Sequence, residues 1–200
     1  MTSLTHLDLS LTGFMGKIPS QIGNLSNLVY LDLGGCKLPH YNEPSLLNFS
    51  SLQTLHLSRT SYSPAISFVP KWIFKLKKLV SLQLLDNGFQ GPIPGGIRNL
   101  TLLQNLDLSF NSFSSSIPDC LYGLHRLKFL NLMGNNLHGT ISDALGNLTS
   151  LVELDLSHNQ LEGNIPTSLG NLCNLRKFLL LVFPMDSQDL QFRVHDFQAI

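Results

Sequence analysis

The 200-residue chain carries little charge. Lysine plus arginine sum to 13 and aspartate plus glutamate to 13, so the formal net charge is zero and charged residues are only 13% of the sequence. Nucleic-acid binding needs a basic face that displaces counterions from phosphate, and a neutral chain does not supply one. Disorder is excluded by the rest of the composition: disordered chains are charge-rich and apolar-poor, whereas 43% of this one is hydrophobic. The 3 cysteines, Cys36, Cys120 and Cys173, are odd in number, widely spaced and without a CxxC pair. They describe neither a disulfide framework nor a zinc site. Long apolar runs are missing too, the best being Phe178 to Phe183, far short of the ~18 residues of a membrane helix. The opening MTSLTHLDLSL has neither the basic and continuous apolar segments nor the cleavage site of a secretory leader. No GxGxxG or GKS phosphate loop occurs. The histidines are scattered, and neither His6/Asp8 nor His195/Asp196 has a serine or cysteine elbow to serve. No catalytic residue, metal site or cofactor is expected.

Leucine is what the chain has in excess, at 43 of 200 residues. The pattern LxxLxL starts at Leu4, Leu28, Leu52, Leu79, Leu103, Leu127, Leu151 and Leu175, at a spacing of 24 residues except for 27 between Leu52 and Leu79. In LxL the leucines point one way and the intervening residues the other. One such strand cannot bury its apolar face alone, so successive strands must stack in parallel along the inside of a curved solenoid. The expected fold is therefore an α/β solenoid, a right-handed superhelix with a parallel concave β-sheet and short helices or 3-10 turns on the convex side. Seven repeats cover residues 1–174, and 175–200 read as a degenerate partial repeat and irregular tail.

Three places after the last leucine of each pattern the chain turns into the core, where an asparagine amide can satisfy backbone donors and acceptors together. Asn87, Asn111, Asn135 and Asn159 hold that place in the last four repeats, while Thr12, Cys36 and Thr60 hold it in the first three. The first three coils are expected to be the less regular end. Later in the unit come Gly16-Lys17-Ile18-Pro19, Gly91-Pro92-Ile93-Pro94, Ser115-Ser116-Ile117-Pro118 and Gly163-Asn164-Ile165-Pro166, with Gly139-Thr140-Ile141-Ser142 as a relaxed version. Glycine permits a turn there and proline caps a short extended segment. The three extra residues of repeat three, near Pro64 and Ile66, are expected to bulge from the convex or lateral surface.

The combined unit, LxxLxLxxNxLxGxIPxxLGNLxxL over residues 4–174, resembles the plant-specific class of leucine-rich repeats. SFVPKWIFKLKKLVSLQL in repeat three is similar to receptor-like proteins of the pathogen-recognition group, including xylanase receptors. The resemblance implies the glycosylated ectodomain of a plasma-membrane or extracellular parent. That parent would bind a protein, peptide or glycan ligand and pass the signal to a co-receptor kinase, in defence or development. A secreted polygalacturonase inhibitor uses the same scaffold and is the alternative, and a non-functional truncated product is a third. Members of the family carry a leader, cysteine-paired caps, more repeats and a membrane helix. Their absence here reads as truncation, with poor solubility expected of residues 1–200 alone.

The concave face is the default binding surface of a solenoid. Asp8, Asp32, Asp107 and Asp155 share one phase and read as the repeat's filler. Tyr30, Leu85, Phe110, Phe129 and Met133, with Arg59 and His158, are the expected ligand contacts, because exposed aromatic and apolar groups concentrate binding energy. Covering neighbouring strands is the other role such groups fill. Glycosylation acceptors read Asn24-Leu25-Ser26, Asn48-Phe49-Ser50, Asn99-Leu100-Thr101 and Asn147-Leu148-Thr149, all at one phase. The repeat's GNLxxL pattern generates such motifs automatically. Asn171 holds the same phase but is followed by Leu172-Cys173. Lys71, Lys75, Lys77 and Lys78 cluster with Trp72, as a solvated convex segment or as a lipid or nucleic-acid contact.

Overall fold

The computed structural model describes residues 3–16, 18–38, 49–60 and 68–181. One all-parallel sheet holds eight three-residue strands, each paired with the next: His6–Asp8, Tyr30–Asp32, Thr54–His56, Ser81–Gln83, Asn105–Asp107, Phe129–Asn131, Glu153–Asp155 and Lys177–Leu179. Their central residues form one column, Leu7, Leu31, Leu55, Leu82, Leu106, Leu130, Leu154 and Phe178. The 27-residue step leaves this register intact, since Leu55 still faces Leu82. The bulge expected at Pro64 and Ile66 lies outside the described residues.

The sheet forms because each coil's leucines have nowhere else to go. Leu28, Leu31, Leu52, Leu55, Leu57 and their equivalents are fully buried, and each contributes roughly 1.5–3 kcal/mol on leaving water. In the first strand, which has a neighbour on one side, Leu4, Leu7 and Leu9 are only partly buried.

Across the core the chain makes 3-10 turns at Ser20–Asn24, Lys71–Lys75, Gly95–Asn99, Asp119–Leu121, Asp143–Asn147 and Thr167–Asn171. Proline precedes five of them in an extended conformation, and its carbonyl accepts the first bond of the turn, as from Ile97 N–H to Pro94 O at 3.1 Å. Ser142 replaces that proline in the relaxed repeat, and its Oγ accepts from Ala144 N–H at 3.1 Å. Beside the core, Gln90–Gly91 pairs with Ser112–Phe113, and His138–Thr140 with Gln160–Glu162.

The buried asparagines tie coil to coil. Asn135 Nδ2 donates to Leu108 O, Leu132 O and Met133 O, while its Oδ1 accepts from Phe113 N–H at 3.1 Å. Asn87, Asn111 and Asn159 repeat the pattern. In the first coils smaller groups take this place: Thr12 Oγ1 and Cys36 Sγ both donate to Leu9 O, and Thr60 Oγ1 donates to Leu57 O and to Asn87 Oδ1. On the concave side these coils are as regular as the rest. Trp72 does not belong to a surface cluster. Only Lys71, Lys75, Lys77 and Lys78 are exposed, and the three residues between Lys71 and Lys75, Trp72, Ile73 and Phe74, are buried.

Candidate functional site

The acidic column of the concave face has a structural task. Asp8, Asp32, Asp107, Asn131 and Asp155 each accept, through the side chain, the backbone N–H two residues on. Ser109 and Ser157 add their hydroxyls to the same carboxylates. Hydrogen bonds from Ser10 hold the Asp8 carboxyl below its ordinary value. These bonds close a turn, and the next residue is left-handed in every one of the first seven coils. Glycine occupies that place in two coils, Gly35 and Gly134, whereas Leu11, Arg59, Asp86, Phe110 and His158 adopt φ of 52–56°. Each uses the conformation to donate its N–H to the next coil, as from Phe110 to Met133 O at 2.8 Å and from Arg59 to Leu85 O at 2.9 Å.

The expected contact residues fall into separate groups along the sheet. In coils 4 to 6, Phe110 is 51% and Phe129 41% exposed, with Leu85 and Met133 half-buried beside them. The Phe110 ring lies over Gly134, where an added Cβ would stand 3.1 Å from ring carbon Cδ1. Arg59 is exposed and reaches Asp86 Oδ2 through Nε at 3.3 Å, and His158 is half-buried. A shallow recess bounded by Phe129, Asn131, Glu153, Asp155 and Lys177 opens on coils 6 to 8. Lys177 Nζ and Glu153 Oε2 stand 4.0 Å apart across it, so the recess offers both signs of charge next to an aromatic ring.

Tyr30 belongs to a different group, one that reading along the chain overlooks. Its ring stacks on His6 at 5.7 Å and meets His56 edge-on at 5.4 Å. The hydroxyl donates to Asp32 Oδ2 at 3.2 Å, and His56 Nδ1 lies 3.1 Å from that same oxygen. Burial, then the Asp32 carboxylate, raise the Tyr30 phenol above its ordinary value. Histidine holds the acidic column's place in coil 3 and turns toward the preceding coil. The signal available in the sequence was the column itself, since position 56 is one 24-residue period after Asp32.

Three of the sequon asparagines, Asn24, Asn99 and Asn147, are exposed at the last residue of their 3-10 turns; Asn48 lies outside the described residues. Burial raises the Cys36 and Cys120 thiols, keeping them protonated. Among the described residues there is no group of three His, Cys, Asp or Glu side chains able to hold a metal, and no helix long and apolar enough to cross a membrane.

Comparison with known proteins places this geometry. Residues 44–195 match the family described as a leucine-rich repeat region, and residues 3–25 match a single leucine-rich repeat. Over 102 residues, 48% of the chain, the sequence is 35% identical to Receptor-like protein 32 of Arabidopsis thaliana, and the match spans 11% of that protein's length. The crystal structure of a TDR receptor superimposes with a TM-score of 0.82 at 33% identity, covering 91% of this chain and 35% of the receptor's. The Arabidopsis receptor kinase HAESA, solved with the peptide hormone IDA and the co-receptor SERK1, superimposes with a TM-score of 0.70 at 30% identity, over 91% of this chain and 34% of the other.

Proposed function

Because the chain belongs to the leucine-rich-repeat family, we propose that it is a peptide-recognition segment of the extracellular part of a plant receptor-like protein, in defence or developmental signalling. Phe110 carries the reading. A left-handed conformation costs a side-chain-bearing residue about 1–2 kcal/mol, and glycine holds the same place in two sister coils. Phe110 bears that cost and still leaves half its ring in water. Leu11 bears both penalties in the first coil, but Phe110 stands among further outward apolar groups, Leu85, Phe129 and Met133, and such a patch marks a contact made outside the fold.

The neighbouring groups define the ligand. Phe110, Leu85 and Met133 offer an apolar seat, Phe129 a second ring, and the Glu153–Lys177 recess a place for a charged or amide group. An extended peptide along coils 4 to 8 would meet all three. The peptide and co-receptor seen with HAESA support this choice, and a kinase-bearing co-receptor is the corresponding partner proposed here.

The test is affinity capture of apoplastic peptides on the immobilised full-length protein, read by mass spectrometry. A discrete peptide should be retained by the wild type and lost about tenfold or more by Phe110→Ala, the range of a buried aromatic anchor. Equal retention by Phe110→Ala and Phe129→Ala, or tight inhibition of a fungal polygalacturonase, would overturn the reading.

A further inference from the structure

We infer that Asn171 is a further acceptor of N-linked oligosaccharide, with Cys173 standing where serine or threonine stands at the other sites. This rests on the extracellular location proposed above. The repeat favours asparagine at this phase without requiring it, since coil 3 has Lys75 there and coil 5 has Gly123.

Backbone geometry at Asn171 matches that of three Asn-x-Ser/Thr sites. In each, the asparagine ends a five-residue 3-10 turn, and the following leucine closes it. The φ/ψ values are −80°/71° at Leu25, −92°/59° at Leu100, −82°/53° at Leu148 and −87°/66° at Leu172. Each leucine N–H donates to the carbonyl three residues back, at 3.0–3.1 Å. Leu172 is buried and anchors the tripeptide, while Asn171 and Cys173 are exposed on either side of it. Cys173 is a free thiol. The turn packs closely on Gly146 of the preceding coil, where an added Cβ would meet Ser168 Cβ at 2.8 Å and Asn171 Nδ2 at 3.2 Å.

The co-reactant is a lipid-pyrophosphate-linked oligosaccharide, supplied with its transferase in the secretory pathway. Asn171 Nδ2 forms a bond to the anomeric carbon as that carbon's bond to the pyrophosphate oxygen breaks. The lipid pyrophosphate leaves with the electron pair, and one amide proton passes to a base of the transferase; nothing is oxidised or reduced. The third residue assists by hydrogen bonding, and a thiol is a weaker donor than a hydroxyl. Asn171 therefore carries glycan on a smaller fraction of molecules than Asn147.

The test directs the whole chain into the secretory pathway of plant cells behind a leader. Trypsin with a glutamate-specific protease then releases Gly163–Arg176, with Asn171, and Phe129–Glu153, with Asn147. Both peptides should carry oligosaccharide mass, the first at several-fold lower occupancy. Cys173→Thr should raise it to the level of Asn147, and Cys173→Ala should abolish it, as should Asn171→Gln. Glycan on Asn147 with an unmodified Gly163–Arg176 would overturn the inference and leave the extracellular reading standing. Absence from both would overturn the two together, and glycan persisting in Cys173→Ala would overturn the role of Cys173.

Discussion

Replacing Asn135 tests how the coils are held. Its three acceptor carbonyls each keep another donor when the amide is removed: Asn111 Nδ2 for Leu108 O, Asn159 Nδ2 for Leu132 O and Phe110 N–H for Met133 O. Phe113 N–H, by contrast, loses Asn135 Oδ1 and is left in a buried residue. An orphaned buried donor costs about 1–3 kcal/mol, and thinning three carbonyl bonds adds about 0.5 kcal/mol each. Asn135→Ala should therefore destabilise the fold by about 2.5–4.5 kcal/mol. Asn135→Thr should cost about 1 kcal/mol less, because a threonine at this place reaches the carbonyl three residues back, as Thr60 Oγ1 reaches Leu57 O at 2.8 Å. Asn135→Asp keeps the acceptor for Phe113 but sets a carboxylate against three carbonyl oxygens, and should be the worst at neutral pH. Burial raises that carboxyl's pKa in the folded state. Folding then takes up a proton, so the Asp penalty should shrink as pH falls toward about 4 and grow as pH rises. Urea unfolding followed by fluorescence of Trp72, the single tryptophan and buried, reads all three variants. An Asn135→Ala protein within about 1 kcal/mol of wild type, or one more stable than Asn135→Thr, would refute the hydrogen-bond reasoning.

Other outcomes use the same unfolding assay. Gly134→Ala should cost about 1–2 kcal/mol, because the site has φ +65° and the new Cβ would meet the Phe110 ring at 3.1 Å. Phe110→Gly should leave stability within about 1 kcal/mol of wild type, since relief of the left-handed strain offsets lost ring contact and added chain entropy, while peptide capture is lost. Burial pushes the Tyr122 phenol up to about 12 from an ordinary 10.0. Its folded pKa is raised, so the stability tied to its neutral form is complete below pH 10 and is lost as pH climbs toward 12. Urea midpoints across that range should fall more steeply for wild type than for Tyr122→Phe; parallel curves would rule out this linkage.

The solenoid was legible because its determinant is periodic and local. Leucines at the first, fourth and sixth places can be buried in only one way, so spacing alone implies a parallel sheet, and the prolines mark where each convex turn begins. The concave face was legible as a list of outward positions and no further. Asp8, Asp32, Asp107 and Asp155 share a phase because each closes a turn onto the residue two places on, a bond visible only once the backbone is drawn.

By itself, then, the sequence determined the coil, its repeat and the columns of residues that face the core, the turns or the solvent. Tertiary structure decided which members of a column act together. His56 meets Asp32, Arg59 meets Asp86 and the Phe110 ring covers Gly134 across separations of 24 to 27 residues. The sheet compresses each such separation to about 4.8 Å, and the left-handed bend after each of the first seven strands sets where the side chains emerge. Register comes from a period, whereas contact depends on the neighbour that the period brings alongside.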